Sequence, residues 1–260
     1  MKHFVLTRFN IRTLVWESDR LGQSILTEEW MSHRFDVFKT FCFPSVQSQK
    51  DKDFIWLLGF DVATPPAWKA KIEGLLCQFQ NAIPIYTDDI NDFLPKVKTV
   101  IYGRLDVHDE YVITTRLDND DILHESFTQT IKSLSYPKHQ LVIDLQKGLQ
   151  LQIGSRYEVR KLTRKFNPFV SLVERADMLE TVFSRKHLDW QHTETVVIED
   201  KKNLWIEFIH DRNMYNRKWK NDFLLRNPDL SSYHVEIDKP YQTSLKVLCK
   251  NLLASIFRLF

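Results

Sequence analysis

The sequence predicts an α/β domain with a mostly parallel central sheet flanked by helices, and a mixed second half. Three observations predict it. Short β-favouring runs alternate with helix-spaced segments as far as Leu134, and polar residues collect at the ends of those runs. Beyond Pro137 the alternation gives way to successive strand-like runs.

Residues 3–9 form the first strand, and Thr7-Arg8-Phe9-Asn10 is the kind of polar tip that lines a ligand crevice at the carboxyl end of a parallel strand. From Glu28 to Phe41 the residues Trp30, Met31, Phe35, Phe38 and Phe41 recur at helical spacing, with Pro44 as a bend or stop. Phe54-Ile55-Trp56-Leu57-Leu58 is a buried strand ending in Gly59-Phe60-Asp61. Thr64-Pro65-Pro66 opens a helix striped by Ile72, Leu75, Leu76 and Phe79, and Ile83–Tyr86 is a third strand. Tyr111 to Leu117 is β-rich and runs directly into Asp118-Asn119-Asp120-Asp121, after which Ile122 to Leu134 reads as a helix.

In the second half, Leu141–Leu145 and Leu149–Ile153 flank Lys147-Gly148 and read as a hairpin. Arg156, Arg160, Lys161, Arg164 and Lys165 make a loop-rich basic stretch. Strand-like runs follow at Phe169–Val173 and Leu204–Ile209, the latter carrying His210 at its end. No repeat and no internal boundary divides the chain. One domain is expected over residues 1–243, with a separate amphipathic helix over 244–260.

Composition narrows the function. With 43% hydrophobic and 27% charged residues, the chain has an ordinary globular balance. Six glycines leave no material for a phosphate-binding Gly-rich loop, so a P-loop or dinucleotide fingerprint is excluded. A net charge of +2 is too small to predict a nucleic-acid partner. Cys42, Cys77 and Cys249 are odd in number and set among apolar neighbours, which predicts reduced, buried thiols and no zinc site. No signal-peptide core or run of ~20 apolar residues is present, and a cytoplasmic location is expected.

The acidic cluster carries the chemistry. Three carboxylates within four residues at the end of a buried strand repel one another and cost desolvation, which a divalent cation would offset. A turn can aim Asp118 and Asp120 at one site, as two metal ligands or with one of them on a ribose. Hard oxygen ligands suit Mn2+ or Mg2+, whose remaining positions go to water and diphosphate oxygens. The plain alternative is that Asp120 or Asp121 caps the helix that follows.

Thr114-Thr115-Arg116-Leu117-Asp118-Asn119-Asp120-Asp121 resembles the Asp-x-Asp segment of GT-A glycosyltransferases, and its wording is similar to the bacterial rhamnosyltransferase family. Phe4 to Asn10, Pro44 to Gln49, Phe54 to Leu57, Asn167 to Glu174 and Trp205 to His210 agree with that family in order, so the resemblance runs from about residue 3 to about residue 217. It implies a GT-A fold. It also implies transfer of a sugar from a UDP- or dTDP-sugar, rhamnose by the family label, to a glycan or lipid-linked glycan acceptor in bacterial surface polysaccharide synthesis. Asp118 and Asp120 then match the metal and nucleotide positions, with Asp121 as a neighbouring carboxylate. Thr7, Arg8 and Asp61 fall where GT-A folds bind nucleobase and ribose. Arg116 sits by the donor, or pairs with one of the aspartates.

His210 is the candidate third metal ligand, because many GT-A enzymes supply a late histidine, and His187 and His192 are its rivals. A lone histidine is otherwise structural. An inverting transfer needs a carboxylate base: Glu174, at the end of a predicted strand, is the first candidate and Asp189 the second. The basic stretches at Arg156–Lys165 and at Arg212, Arg217, Lys218 and Lys220 suit a diphosphate or an anionic glycan, with Tyr215 and Trp219 as rings for a sugar face; solvated surface is the plain reading. At the C-terminus Leu245, Leu248, Leu252, Ile256 and Leu259 form a helical stripe, with Lys246, Lys250 and Arg258 on other faces. That stripe serves core packing, a homo-oligomer, or peripheral contact with the inner membrane face. Two other functions share the acidic turn: a metal-dependent nucleotidyltransferase, and a catalytically silent scaffold in a glycan-assembly complex.

Overall fold

The computed structural model describes residues 1–12, 26–197, 202–210 and 223–257. In it β1 (Lys2–Arg8) lies near the middle of a seven-stranded sheet. A helix follows at α1 (Glu28–Val37) and continues through a π-turn at Phe38–Cys42 into α2 (Phe43–Gln47). The alternation goes on with β2 (Ile55–Asp61), α3 (Pro66–Leu76), β3 (Ala82–Thr87), α4 (Ile90–Tyr102) and β4 (Tyr111–Arg116). Then come β5 (Ile122–Leu123), α5 (Phe127–Leu134), β6 (Leu141–Asp144), β7 (Lys147–Gln152), β8 (Glu158–Thr163), β9 (Ser171–Arg175), β10 (Thr195–Val197), β11 (Trp205–Ile209) and α6 (Ser244–Phe257).

The large sheet has the order β10-β6-β9-β4-β1-β2-β3. β4, β1, β2 and β3 are parallel, and β9 runs against both of its neighbours. The polar ends of β1 and β4 therefore emerge side by side, with Leu6 opposite Arg116. Alternation along β1 explains why helices cover both faces. Val5 packs with Trp56, Phe38 and Phe127 on one side, while Phe4 and Leu6 pack with Phe93, Val97 and Ile101 of α4 on the other. This is the largely parallel α/β sheet with helices on both faces that the sequence predicts. A second sheet, β5-β11-β7-β8, closes its own core around Phe41, Leu151, Ile206 and Phe208.

Several local expectations change. Ile122 and Leu123 pair with β11, so the helix after the acidic turn begins only at Phe127. Leu141–Asp144 and Lys147–Gln152 form no hairpin, because they belong to different sheets. The basic stretch contains strand β8, whose Arg160 is buried against Glu158. Pro44 does not stop its helix: it stands just after the π-turn at Phe38–Cys42, and α2 runs on to Gln47. Cys42 is buried, but Cys77 and Cys249 are exposed. The leucine stripe of α6 faces outward. Leu245, Leu248 and Leu252 are exposed, while Val247 and Ala254 dock the helix. No helix among the described residues is long and apolar enough to cross a membrane.

Candidate functional site at the carboxyl ends of two parallel strands

The acidic turn begins where β4 ends. Leu117 still donates to Leu6 O (3.0 Å), and Asp121 N closes the turn on Asp118 O (3.2 Å). Asn119 fastens the turn to β1, its amide donating to Arg8 O (3.0 Å) and Phe9 O (2.7 Å). The three carboxylates are thereby sent to three different partners.

Asp118 accepts from Arg116 at both oxygens (2.9 and 3.2 Å). Asp120 Oδ2 accepts from Arg34 of α1 (2.8 Å) and lies 3.1 Å from His210 Nε2. Asp121 accepts the backbone N–H of Phe208 (3.0 Å), joining the turn to the second sheet. Burial alone would raise all such groups, yet the Arg34 charge and the His210 hydrogen bond hold the Asp120 carboxyl well below the usual carboxylate range. Asp121 moves the other way. Burial and then the charges of Asp120 and Asp118 push it well above its ordinary value, which favours its protonated form.

The cluster is thus compensated by protein groups, contrary to the expectation that only a divalent ion makes it tolerable. Among the described residues no group of three or more His, Cys, Asp or Glu side chains is arranged to hold a metal ion. Asp120 and His210, expected as two separate ligands, are bonded to each other. Asp118 is the member that fits a metal: its side chain is 34% exposed, against 10% for Asp120. One carboxylate is also a normal protein share for Mg2+ or Mn2+ held beside phosphate oxygens.

Beside this turn lies a cationic pair. The guanidinium of Arg8 sits 4.6 Å from the centre of the Phe183 ring and that of Arg116 sits 5.5 Å from it. Arg116 is matched by Asp118. Arg8 has no carboxylate within ion-pair distance among the described residues, and burial lowers its pKa, with Asp118 opposing and Arg116 adding to the shift. Half-buried and uncompensated, it is the group here that most favours an incoming anion.

Phe183 is held by a segment that climbs the sheet. Glu174 accepts from Glu180 N (3.1 Å) and Thr181 N (2.9 Å), and Val182 N then donates to Thr114 Oγ1 (2.9 Å). Beyond Phe183 the turn His187–His192 carries the exposed Asp189. His187 Nδ1 donates to Phe166 O, which leaves Nε2 as the acceptor position of the neutral ring. Burial lowers the His187 pKa, and the charges of Arg116, Asp118 and Asp189 all act on it, so these groups share one neighbourhood.

The other expected residues fall elsewhere. Glu174 does not reach the site. It pairs with Val112 at the start of β4, because β9 runs antiparallel and its end lies at the opposite edge of the sheet. At about 3.3 Å per residue it is on the order of 20 Å from Asp118. Thr7 is fully buried, its hydroxyl accepting from Trp56 Nε1 (2.9 Å), so it serves the core. Asp61 is buried at the end of β2, accepting from Arg12 Nε (2.6 Å) and Ala63 N (2.7 Å). His192 is not brought to the acidic turn by any contact among the described residues. Arg212, Tyr215, Arg217, Lys218, Trp219 and Lys220 lie outside the described residues, as do the Ile256 side chain, Arg258 and Leu259.

Sequence reasoning misses Arg34, Phe183 and His33, whose ring lies 5.0 Å from that of His210. Arg34 stands 86 residues from its partner, and no local pattern encodes that contact.

The family described as "Putative rhamnosyl transferase" matches residues 3–222. No curated protein matches the chain. Among solved structures, S. aureus TarS 1–349 in complex with UDP-GlcNAc is similar at 10% identity and a TM-score of 0.43, over 85% of this chain and 63% of that one. The same protein in complex with UDP is 12% identical with a TM-score of 0.41, over 80% and 61%. A "putative nucleotide-diphospho-sugar transferase" from Desulfovibrio desulfuricans G20 is 9% identical with a TM-score of 0.37, over 82% and 84%. The chain spans about three fifths of the length of the TarS chains.

Proposed function

We propose, from the premise that this chain belongs to the rhamnosyl transferase family and is thereby a glycosyltransferase, that it moves a sugar from a nucleotide-diphosphate donor to a hydroxyl of a glycan acceptor. Rhamnose carried on dTDP is the donor we favour from the family, and bacterial surface polysaccharide is the setting in which such a product is used. The observation that carries the reading is Arg8: a half-buried guanidinium with no carboxylate at ion-pair distance among the described residues, stacked with Arg116 on Phe183 beside Asp118.

In this reading the donor diphosphate meets Arg8 first. As the bond from the anomeric carbon to the diphosphate breaks, charge grows on the leaving oxygens, and a fixed guanidinium in a poorly solvated site stabilises it without reorganising. Mn2+ or Mg2+ bound at Asp118 would add Lewis-acid stabilisation to the same oxygens. Asp120, His210 and Arg34 keep the turn in place. The acceptor hydroxyl loses its proton as it bonds to the anomeric carbon, and for inverting transfer the base is Asp189, exposed on the turn beside His187.

The test supplies purified protein with dTDP-rhamnose, UDP-sugars and nucleoside triphosphates, with and without Mn2+. Release of a nucleoside diphosphate in the presence of a glycan acceptor is expected. Arg8→Ala should lower kcat/KM for the donor about a hundredfold, roughly 2.7 kcal/mol of transition-state binding. Pyrophosphate release from a triphosphate would instead make the chain a nucleotidyltransferase. Absence of turnover together with absence of a donor-induced thermal shift would leave a silent scaffold.

A further inference from the structure

The helix α6 presents its apolar side to water. Leu245 is 72% exposed, Leu248 and Leu252 57% each, and Leu253 56%. At 3.6 residues per turn these leucines share one face with Cys249, while Val247 and Ala254, both buried, lie on the opposite face. The docked side is firmly held. Asn251 exchanges two hydrogen bonds with the backbone of Leu224 (2.8 and 2.9 Å), and Lys250 reaches both oxygens of Glu158 on β8 (2.7 and 2.9 Å). Among the described residues the leucine face is thus an unpartnered surface on a fixed helix.

We infer that this face is a docking surface for an anionic lipid bilayer. Charge supports that occupant. Residues 239–260 contain Lys239, Lys246, Lys250 and Arg258 and no Asp or Glu. The acid that the helix contacts, Glu158, is shared among Lys250, Lys246 at 3.6 Å and Arg160, so three cations face one carboxylate. A leucine face flanked by lysines matches the layered chemistry of a membrane surface, where apolar side chains enter the acyl boundary and cations meet lipid phosphates. A second copy of this chain fits poorly. The four leucines offer on the order of 400 Å² of apolar surface, about half of the ~800 Å² per partner of a stable interface. The inference does not depend on which sugar is transferred.

The experiment is co-sedimentation of the full chain with vesicles of phosphatidylcholine alone and with about 30% phosphatidylglycerol, at low and raised salt. Binding to the anionic vesicles, weak binding to the neutral ones, and release by salt are expected. Leu248→Glu with Leu252→Glu should reduce the bound fraction about tenfold, with folding checked by far-UV circular dichroism. Lys246→Glu, which leaves the leucines in place, should also weaken binding. The inference is overturned by absence of binding to anionic vesicles, or by equal binding of wild type and leucine variant. It is also overturned by a concentration-dependent dimer in light scattering that the leucine variant makes monomeric, since a second copy would then cover the face.

Discussion

Glu174 offers the sharpest test, because its two readings predict opposite outcomes. The side chain is 1% exposed and burial raises its pKa from the ordinary 4.5 to about 7, although the amides of Thr181 and Glu180 oppose the shift. The sign follows from which state holds the proton. Below pH 4.5 both states are protonated and the contribution is fully present. Between 4.5 and about 7 the unfolded chain releases a proton that the folded chain keeps, so stability falls as pH rises through the folded pKa. Over that window the loss is roughly 3 kcal/mol. Glu174→Gln carries no charge at any pH, so this part of the pH dependence should vanish. Its amide cannot accept both backbone N–H groups as a carboxylate does, and that costs about 1–3 kcal/mol at every pH. The readout is the change in the wild-type-to-variant difference between pH 5 and pH 8, measured by urea unfolding. A shift of about 2–3 kcal/mol in favour of the variant is expected, with donor turnover within tenfold of wild type. Parallel profiles would refute the buried-carboxyl account. A loss of activity beyond a hundredfold would return Glu174 to the reaction centre.

Two further predictions concern what holds the site together. Arg34→Met removes the guanidinium partner of the buried Asp120; a double-mutant cycle with Asp120→Asn should show a coupling of about 2–3 kcal/mol, and a value under about 0.5 would mean that solvent already screens the pair. Gly148→Ala places a Cβ into the ring of Trp205, which is stacked on Phe169 at 4.7 Å and bonded to Leu145 O (2.5 Å). Overpacking of such a site should cost about 3 kcal/mol or prevent soluble expression, and a variant with an unchanged unfolding midpoint would show that the indole can move.

Much of the parallel half is legible, since each strand there is a short apolar run and polar residues at its end mark the crevice. The reading fails where direction or pairing decides. Glu174 ends a strand just as Asp118 follows one, but the sequence does not say that β9 runs backwards, and reversal sends its end to the far edge of the sheet. Lys147-Gly148 has the composition of a hairpin turn, yet the glycine is needed because the Trp205 ring lies where its side chain would be. The helix Ile90–Tyr102 is obscured by Pro95, although Phe93, Val97 and Ile101 keep the spacing of a buried stripe. The acidic turn is recognisable from its composition. The partners of its carboxylates are not, because Arg34, His210 and Phe208 are remote in sequence.

Those partners alter the physics of the turn. A trio of aspartates at a strand end suggests that a metal must be present before the fold is tolerable. Here the charge is divided: Asp118 to Arg116, Asp120 to Arg34 and His210, and Asp121 towards its protonated form. The fold is then electrostatically self-sufficient, and the divalent ion proposed at Asp118 would serve substrate binding rather than folding. One measurable difference follows. If the ion were structural, chelation would lower the unfolding temperature of the protein without donor; if it arrives with the diphosphate, chelation should leave that temperature alone and remove only the stabilisation that donor and Mn2+ give together. Asp118, the most exposed carboxylate of the turn and the one we propose for the ion, is where the two charge systems would exchange.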